Sequence, residues 1–197
     1  MVLENHIKDG SYCHIHKMAN IFIASDYHFG HESMMKFTRN DGSPLRVFKD
    51  ATHMNEYIVM QHNRVVSAND KIYMVGDIAM NKKYLPILHR MNGEKILIRG
   101  DHDLETADKY MAYFKDVRAS HQLDGMLLTH IPIHPESLSR WKVNIHGHLH
   151  YNIVTQSGSK IPDNRYYNVS VERLEDYTPI ALEDLKVQIK NRLESQV

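Results

Sequence analysis

An α/β layer fold built on a largely parallel sheet is predicted by three features of this 197-residue chain. Short apolar runs of strand length alternate with helical stretches, which marks parallel strands joined by crossovers. A cluster of later runs has no long helix between its members, implying a second, mixed sheet. Five of the runs end in an acid or an imidazole, the position at which functional groups gather in open α/β sheets.

Residues 1–18 are polar and unpatterned and receive no role, and residues 19–197 read as one domain. A chain of this length buries about two thirds of its unfolded surface in a single core. Strands are expected at Asn20–Ser25, Lys71–Val75, Glu94–Ile98, Gly125–Thr129, Trp141–Ile145 and Tyr166–Val171. Between the first two, residues 50–67 carry Met54, Ile58 and Val65 on one helical face, with Asp50 as N-cap. Tyr84–Met91 predicts a shorter helix before the Asn92-Gly93 turn. After Pro179, Leu182, Leu185, Ile189 and Leu193 form the stripe of a docked C-terminal helix, its acids first and its bases last, as the helix dipole favours. The irregular stretch from Ile131 to Arg140, with two prolines, is a candidate site wall. Met34, Met35 and the methionines from 54 to 60 read as core filler.

Lys+Arg and Asp+Glu are 24 each, so the chain has no net field to grip long nucleic acid or an acidic membrane. Apolar runs of four or five residues are too short to cross a bilayer, and the N-terminus lacks the basic and apolar regions of a secretory signal. With a single cysteine, Cys13, the chain suits a reducing compartment, and the expectation is cytoplasmic. The anomaly is its 15 histidines. His14 and His16 flank Cys13 in an incidental tail, and the count directs attention to where the others cluster.

After the first run comes Asp26-Tyr-His28, after the second Gly76-Asp77, and after the third Gly100-Asp-His-Asp103. His130 follows the fourth, and His146-Gly-His148-Leu-His150 the fifth. Asp26, His28, Asp77, Asp101, His130, His148 and His150 make seven donors, more than one catalytic zinc takes from protein. With a shared carboxylate they suit two divalent ions, the arrangement that performs in-line displacement at phosphorus. Oxygen and nitrogen donors without thiolate favour Mn²⁺ first, with Fe, Zn²⁺, Ni²⁺ or Mg²⁺ as other candidates. Glycines 76, 100 and 147 serve sharp turns beside the donors. His146 points to the opposite sheet face and reads as core.

In order, D-x-H, G-D, G-D-H-D, His130 and G-H-x-H resemble the signature of the calcineurin-like metallophosphoesterase superfamily over roughly residues 19–185. The likeness is closest to its small bacterial and phage-type members, which share Phe29-Gly30-His31 after the first motif and Ile98-Arg99-Gly100 before the third. The resemblance implies two mixed β-sheets packed as a sandwich flanked by helices, in α-β-β-α order. It implies one metal on Asp26, His28 and His150, a second on Asp101, His130 and His148, and Asp77 bridging. It further implies attack of a metal-bound hydroxide on a phosphomonoester or phosphodiester, with His102 as general acid. Asp103 is the second catalytic candidate, orienting His102 or capping a helix near Leu104. His31 and Arg99 are candidates for contacting a substrate phosphate, against a plain loop role for each.

One position departs from the pattern: the superfamily has Asn where this chain has Asp101. Three carboxylates, two divalent ions and a hydroxide then sum to a neutral centre, where Asn would leave one net positive charge. That weakens a dianionic monoester relative to a monoanionic diester, unless the change inactivates the site. The expected partner is a small phosphorylated molecule or nucleotide, selected by loops 29–49 and 131–142. The alternative is an inactive member of the fold that serves as a binding scaffold.

Overall fold

The computed structural model describes residues 19–194. The readings of residues 1–18, including Cys13, His14 and His16, lie outside that range. Strand β1 (Ile21–Ala24) pairs in parallel with β2 (Lys71–Met74), β2 with β3 (Glu94–Ile98), and β3 with β4 (Asp116–Arg118). A second sheet is built from β5 (His121–Leu123), β6 (Met126–Leu128), β7 (Asn144–His146) and β8 (Tyr166–Asn168), in that order. Here β5 runs antiparallel to β6, and the other pairs are parallel. The two-residue β9 (Ile180–Ala181) closes the first sheet antiparallel to β1. The result is the expected fold: two mixed sheets with flanking helices.

Alternation along each strand explains why both faces of the first sheet are buried. Phe22, Ala24, Ile72, Met74 and Leu97 pack outward into a cluster with Met54 and Ile58 of helix α1 (Ala51–Val65). Ile23, Tyr73, Val75, Ile96 and Ile98 pack the other way, against Met126, Leu128, Ile145 and Val169 of the second sheet. Asp50 caps α1 by accepting from the His53 N–H at 2.7 Å. A one-turn helix, α2 (Ala107–Tyr110), follows the third motif, and α3 (Leu182–Glu194) buries Leu182, Leu185 and Ile189 in the cluster between the sheets.

Several expectations are corrected. The helix read at 84–91 is a 3-10 helix over Lys82–Arg90, which tolerates Pro86 because its backbone is not held in α-helical bonds throughout. β4, β5 and β9 are two or three residues long and carry no apolar run to announce them. The run from Trp141 enters its strand only at Asn144, and part of the irregular 131–140 stretch is a 3-10 helix, Pro135–Arg140. Leu193 and Met60 face solvent, at 41% and 56% exposure, so the C-terminal stripe is shorter than its sequence pattern and Met60 is not core filler. Among the described residues no helix is long and apolar enough to cross a membrane.

Candidate metal centre

The two sheets are stitched together at the ends of their parallel strands. Just past β1, the Ser25 N–H donates to Val169 O at 2.9 Å, and the Val171 N–H donates to Ser25 O at 3.1 Å. Neighbouring loops are laced in the same way, Asp26 N–H to Gly76 O at 3.0 Å and His28 N–H to Asp77 O at 2.9 Å. Motifs more than a hundred residues apart therefore share one edge, and the His148 N–H donates to both Asp26 oxygens at 3.0 and 3.1 Å.

All seven sequence-predicted donors meet there, in overlapping groups. Asp26, His28 and His150 each offer an atom within 4.8 Å of the others, as do Asp101, His130 and His148. Asp77 joins Asp26 and His130 in one further group and Asp101 and His102 in another, so it lies between the two halves. Asp77 Oδ2 is 3.5 Å from His28 Nε2 and 3.4 Å from His130 Nε2. Asp101 Oδ1 is 3.0 Å from both His130 Nε2 and His148 Nδ1.

The donor set fits divalent cations. Both ring nitrogens of His28 and the Nε2 of His130 are buried without a hydrogen-bond partner among the described residues, although carboxylate oxygens lie close by. His130 Nδ1 is 2.8 Å from the Val75 carbonyl, which can only accept, so Nδ1 carries hydrogen and Nε2 is the nitrogen left for the cage. The field points the same way. Burial opposes protonation of His130, yet Asp77 and Asp26 prevail and raise it to about 9, so the carboxylates hold a proton where a cation is wanted. Burial raises Asp26 above the usual carboxylate range, against the pull of His150 and His130. For Asp101, burial is outweighed by a backbone hydrogen bond and by His148 and His130, which hold it below that range. His28 is kept neutral by burial, with Arg46 adding to the effect.

Two glycines permit the approach. A Cβ on Gly100 would stand 2.2 Å from Asp77 Oδ1, and one on Gly147 would stand 2.4 Å from Asp26 Oδ2, both impossible contacts.

The remaining candidates fall differently. His102, its side chain 45% exposed, lies edge-on to His28 at 5.5 Å, and its backbone N–H donates to Asp77 Oδ1 at 3.0 Å. Asp103 is fully buried and neither caps a helix nor bonds the His102 ring. Its oxygens accept from the N–H groups of Asp77, Ile78 and Gly100 at 2.9 to 3.0 Å, pinning the second motif to the third. The Arg99 guanidinium donates to the carbonyls of Asp103 and Glu105, both at 2.7 Å. His31 does face the centre, 5.4 Å from the His28 ring, with Nδ1 buried and unpartnered. His146 is buried away from the cage, its Nδ1 2.8 Å from the Gly147 carbonyl.

Two residues went unread in the sequence. Glu172 is 3.1 Å from His150 Nδ1, and fully buried Arg46 pairs with Glu172 at 2.6 Å while donating to the Asp26 and Tyr27 carbonyls. Burial works to raise Glu172, but Arg46 and His150 hold it below the usual range. Glu172 follows the sixth apolar run as the other acids follow theirs, so the same signal could have found it. Nothing marks Arg46, which resembles any loop arginine.

No protein-family model matches the chain. An uncharacterised protein of Methanocaldococcus jannaschii, MJ1445, is 31% identical over 178 residues, 87% of this chain and 92% of that protein. The crystal structure of a protein of unknown function from Aquifex aeolicus, AQ665, aligns with TM-score 0.64 and 24% identity, covering 86% of this chain and 99% of its own. That likeness shows the shared fold. A structure described as a novel archaeal phosphodiesterase aligns over 76% of this chain and 82% of its own, with TM-score 0.44 and 16% identity. The five motifs stand in order at the strand ends of this two-sheet fold, and by its likeness over most of both chains the protein belongs to the family of the archaeal protein MJ1445.

Proposed function

We propose that the protein is a dinuclear metal-dependent phosphoesterase that hydrolyses a small phosphomonoester or phosphodiester. The observation that carries this reading is the pair of His/Asp groups joined through Asp77, with buried imidazole nitrogens that have no hydrogen-bond partner among the described residues. Asp26, His28 and His150 would hold one cation, Asp101, His130 and His148 the other, with Asp77 between them. Divalent ions there, Mn²⁺ foremost, would supply Lewis-acid polarisation of the phosphoryl oxygens and a water acidic enough to attack at neutral pH.

The chain's own residues do the rest. Glu172, backed by Arg46, fixes the ring of His150 through Nδ1, and the Val75 carbonyl does the same for His130. Asp103 fixes Asp77 through the backbone. His102 stands beside the cage on its open side, free to give a proton to the leaving oxygen. His31, its ring 5.4 Å from that of His28, has a buried Nδ1 without a partner among the described residues. Asp101 in place of Asn favours a second reading, an inactive scaffold, and one experiment separates the two. Mn²⁺ should stimulate hydrolysis of bis-p-nitrophenyl phosphate or p-nitrophenyl phosphate. His102→Ala should lower kcat by about 10² to 10⁴, the range of general acid catalysis, and Asp77→Ala should abolish turnover. Metal binding in calorimetry without turnover of either ester would establish the scaffold.

A further inference from the structure

Beside the cage lies a cavity of about 510 Å³ that shares His148 and His150 with it. One wall is the turn at residues 36–45, closed by hydrogen bonds from Leu45 N–H to Phe37 O and from Arg39 N–H to Ser43 O, both 2.8 Å. The other is the loop carrying Tyr151 and Asn152, tied to the turn by Asn40 Nδ2 donating to Asn152 Oδ1 at 2.9 Å. Hydrogen bonds within the chain thus hold both walls.

Its chemistry is lopsided. Lys36 and Arg39 line it, and none of its described lining residues is Asp or Glu, in a chain whose acids and bases balance. The nearby Asp41 carboxylate accepts from the N–H and hydroxyl of Ser43 instead. The Arg39 guanidinium carbon lies over the Tyr151 ring, 3.9 Å from its centroid, and the Nε–H is buried without a partner among the described residues. Phe37, 45% exposed, meets the His31 ring edge-on at 5.8 Å and offers its remaining surface at the same cavity. A guanidinium held over a tyrosine ring, a neighbouring ammonium and a half-exposed aromatic ring ask for a ligand with a second negative group and a flat ring. The volume lies in the range of small-ligand sites and is ample for one nucleotide.

We infer that this cavity selects nucleotide esters carrying a phosphate beyond the one at the metal cage, with Arg39 and Lys36 taking the second phosphate and Phe37 stacking the base. The inference rests on the phosphoesterase reading for what happens at the cage, but binding tests it separately.

Calorimetric titration of the full chain in Mn²⁺ would use adenosine 3′,5′-bisphosphate, AMP and ribose 5-phosphate. The bisphosphate should bind at least about tenfold tighter than AMP, and AMP about tenfold tighter than the sugar phosphate, as one charge-assisted contact and one stacked base predict. Arg39→Ala should erase the first step and Phe37→Ala the second, with thermal melts matching wild type. Equal affinities for the three probes, or steps that survive both variants, would overturn the inference. Both steps present without turnover of any ester would uphold the cavity and sink the hydrolase reading. Turnover with flat affinities would do the reverse.

Discussion

Asp26, His28, Asp77, His148 and His150 all have left-handed backbone, with φ between 50° and 66°. Asp and His enter that region more readily than most side chains, yet each such residue costs roughly 1–3 kcal/mol and persists only where its surroundings enforce it. The enforcement is visible: Asp26, His28, Asp77 and His148 each spend the backbone N–H on an acceptor in another motif. Strain there is the means by which chain-distant donors are turned toward one another. Asp101 is the residue at which charge, and not geometry, is distinctive. Replacing it with Asn should keep the cage but add one net positive charge, so kcat/KM for p-nitrophenyl phosphate should rise relative to bis-p-nitrophenyl phosphate. An unchanged ratio in paired assays would show that the charge is irrelevant to substrate choice.

Among the elements, the segment around Arg46 shows how a loop residue becomes part of a site. Its guanidinium is fully buried, balanced by Glu172, and reaches the backbone of the first motif, so the pair locks His150 and Asp26 together. Breaking a buried ion pair leaves the surviving charge uncompensated. Glu172→Gln should therefore destabilise the fold by about 3 kcal/mol in urea titrations. By freeing His150 it should also weaken metal binding by about 10- to 100-fold in a chelator competition, as loss of such a supporting group does. Wild-type metal affinity in a folded Glu172→Gln variant would exclude the positioning role. Helices were legible where a long amphipathic stripe met a capping residue, as in α1 behind Asp50. They were misread where a proline-containing segment satisfies its backbone by 3-10 bonds.

At the scale of the molecule, the outer core also buries a base. His62 of α1 is fully buried, with Nε2 donating to the Asn92 carbonyl at 2.9 Å, and burial lowers it to about 4. The unfolded imidazole takes a proton near pH 6.5, whereas the folded one stays neutral down to about 4. Its contribution to stability is therefore whole above 6.5 and is lost as pH falls from 6.5 toward 4, about 3 kcal/mol in all. Urea midpoints at pH 7 and 4.5 should differ less for His62→Gln than for wild type, and equal differences would refute the assignment.

Residue types and their places after apolar runs determined the two-sheet class and which seven donors gather at one edge, because strand periodicity and strand-end chemistry are local properties of the chain. Asp103 clamping backbone, Arg99 spent on carbonyls, the Arg46–Glu172 pair and the walled cavity beside His148 were decided only in three dimensions. Each depends on where a side chain points once the sheets have joined, and direction is set by packing between segments that no local pattern connects.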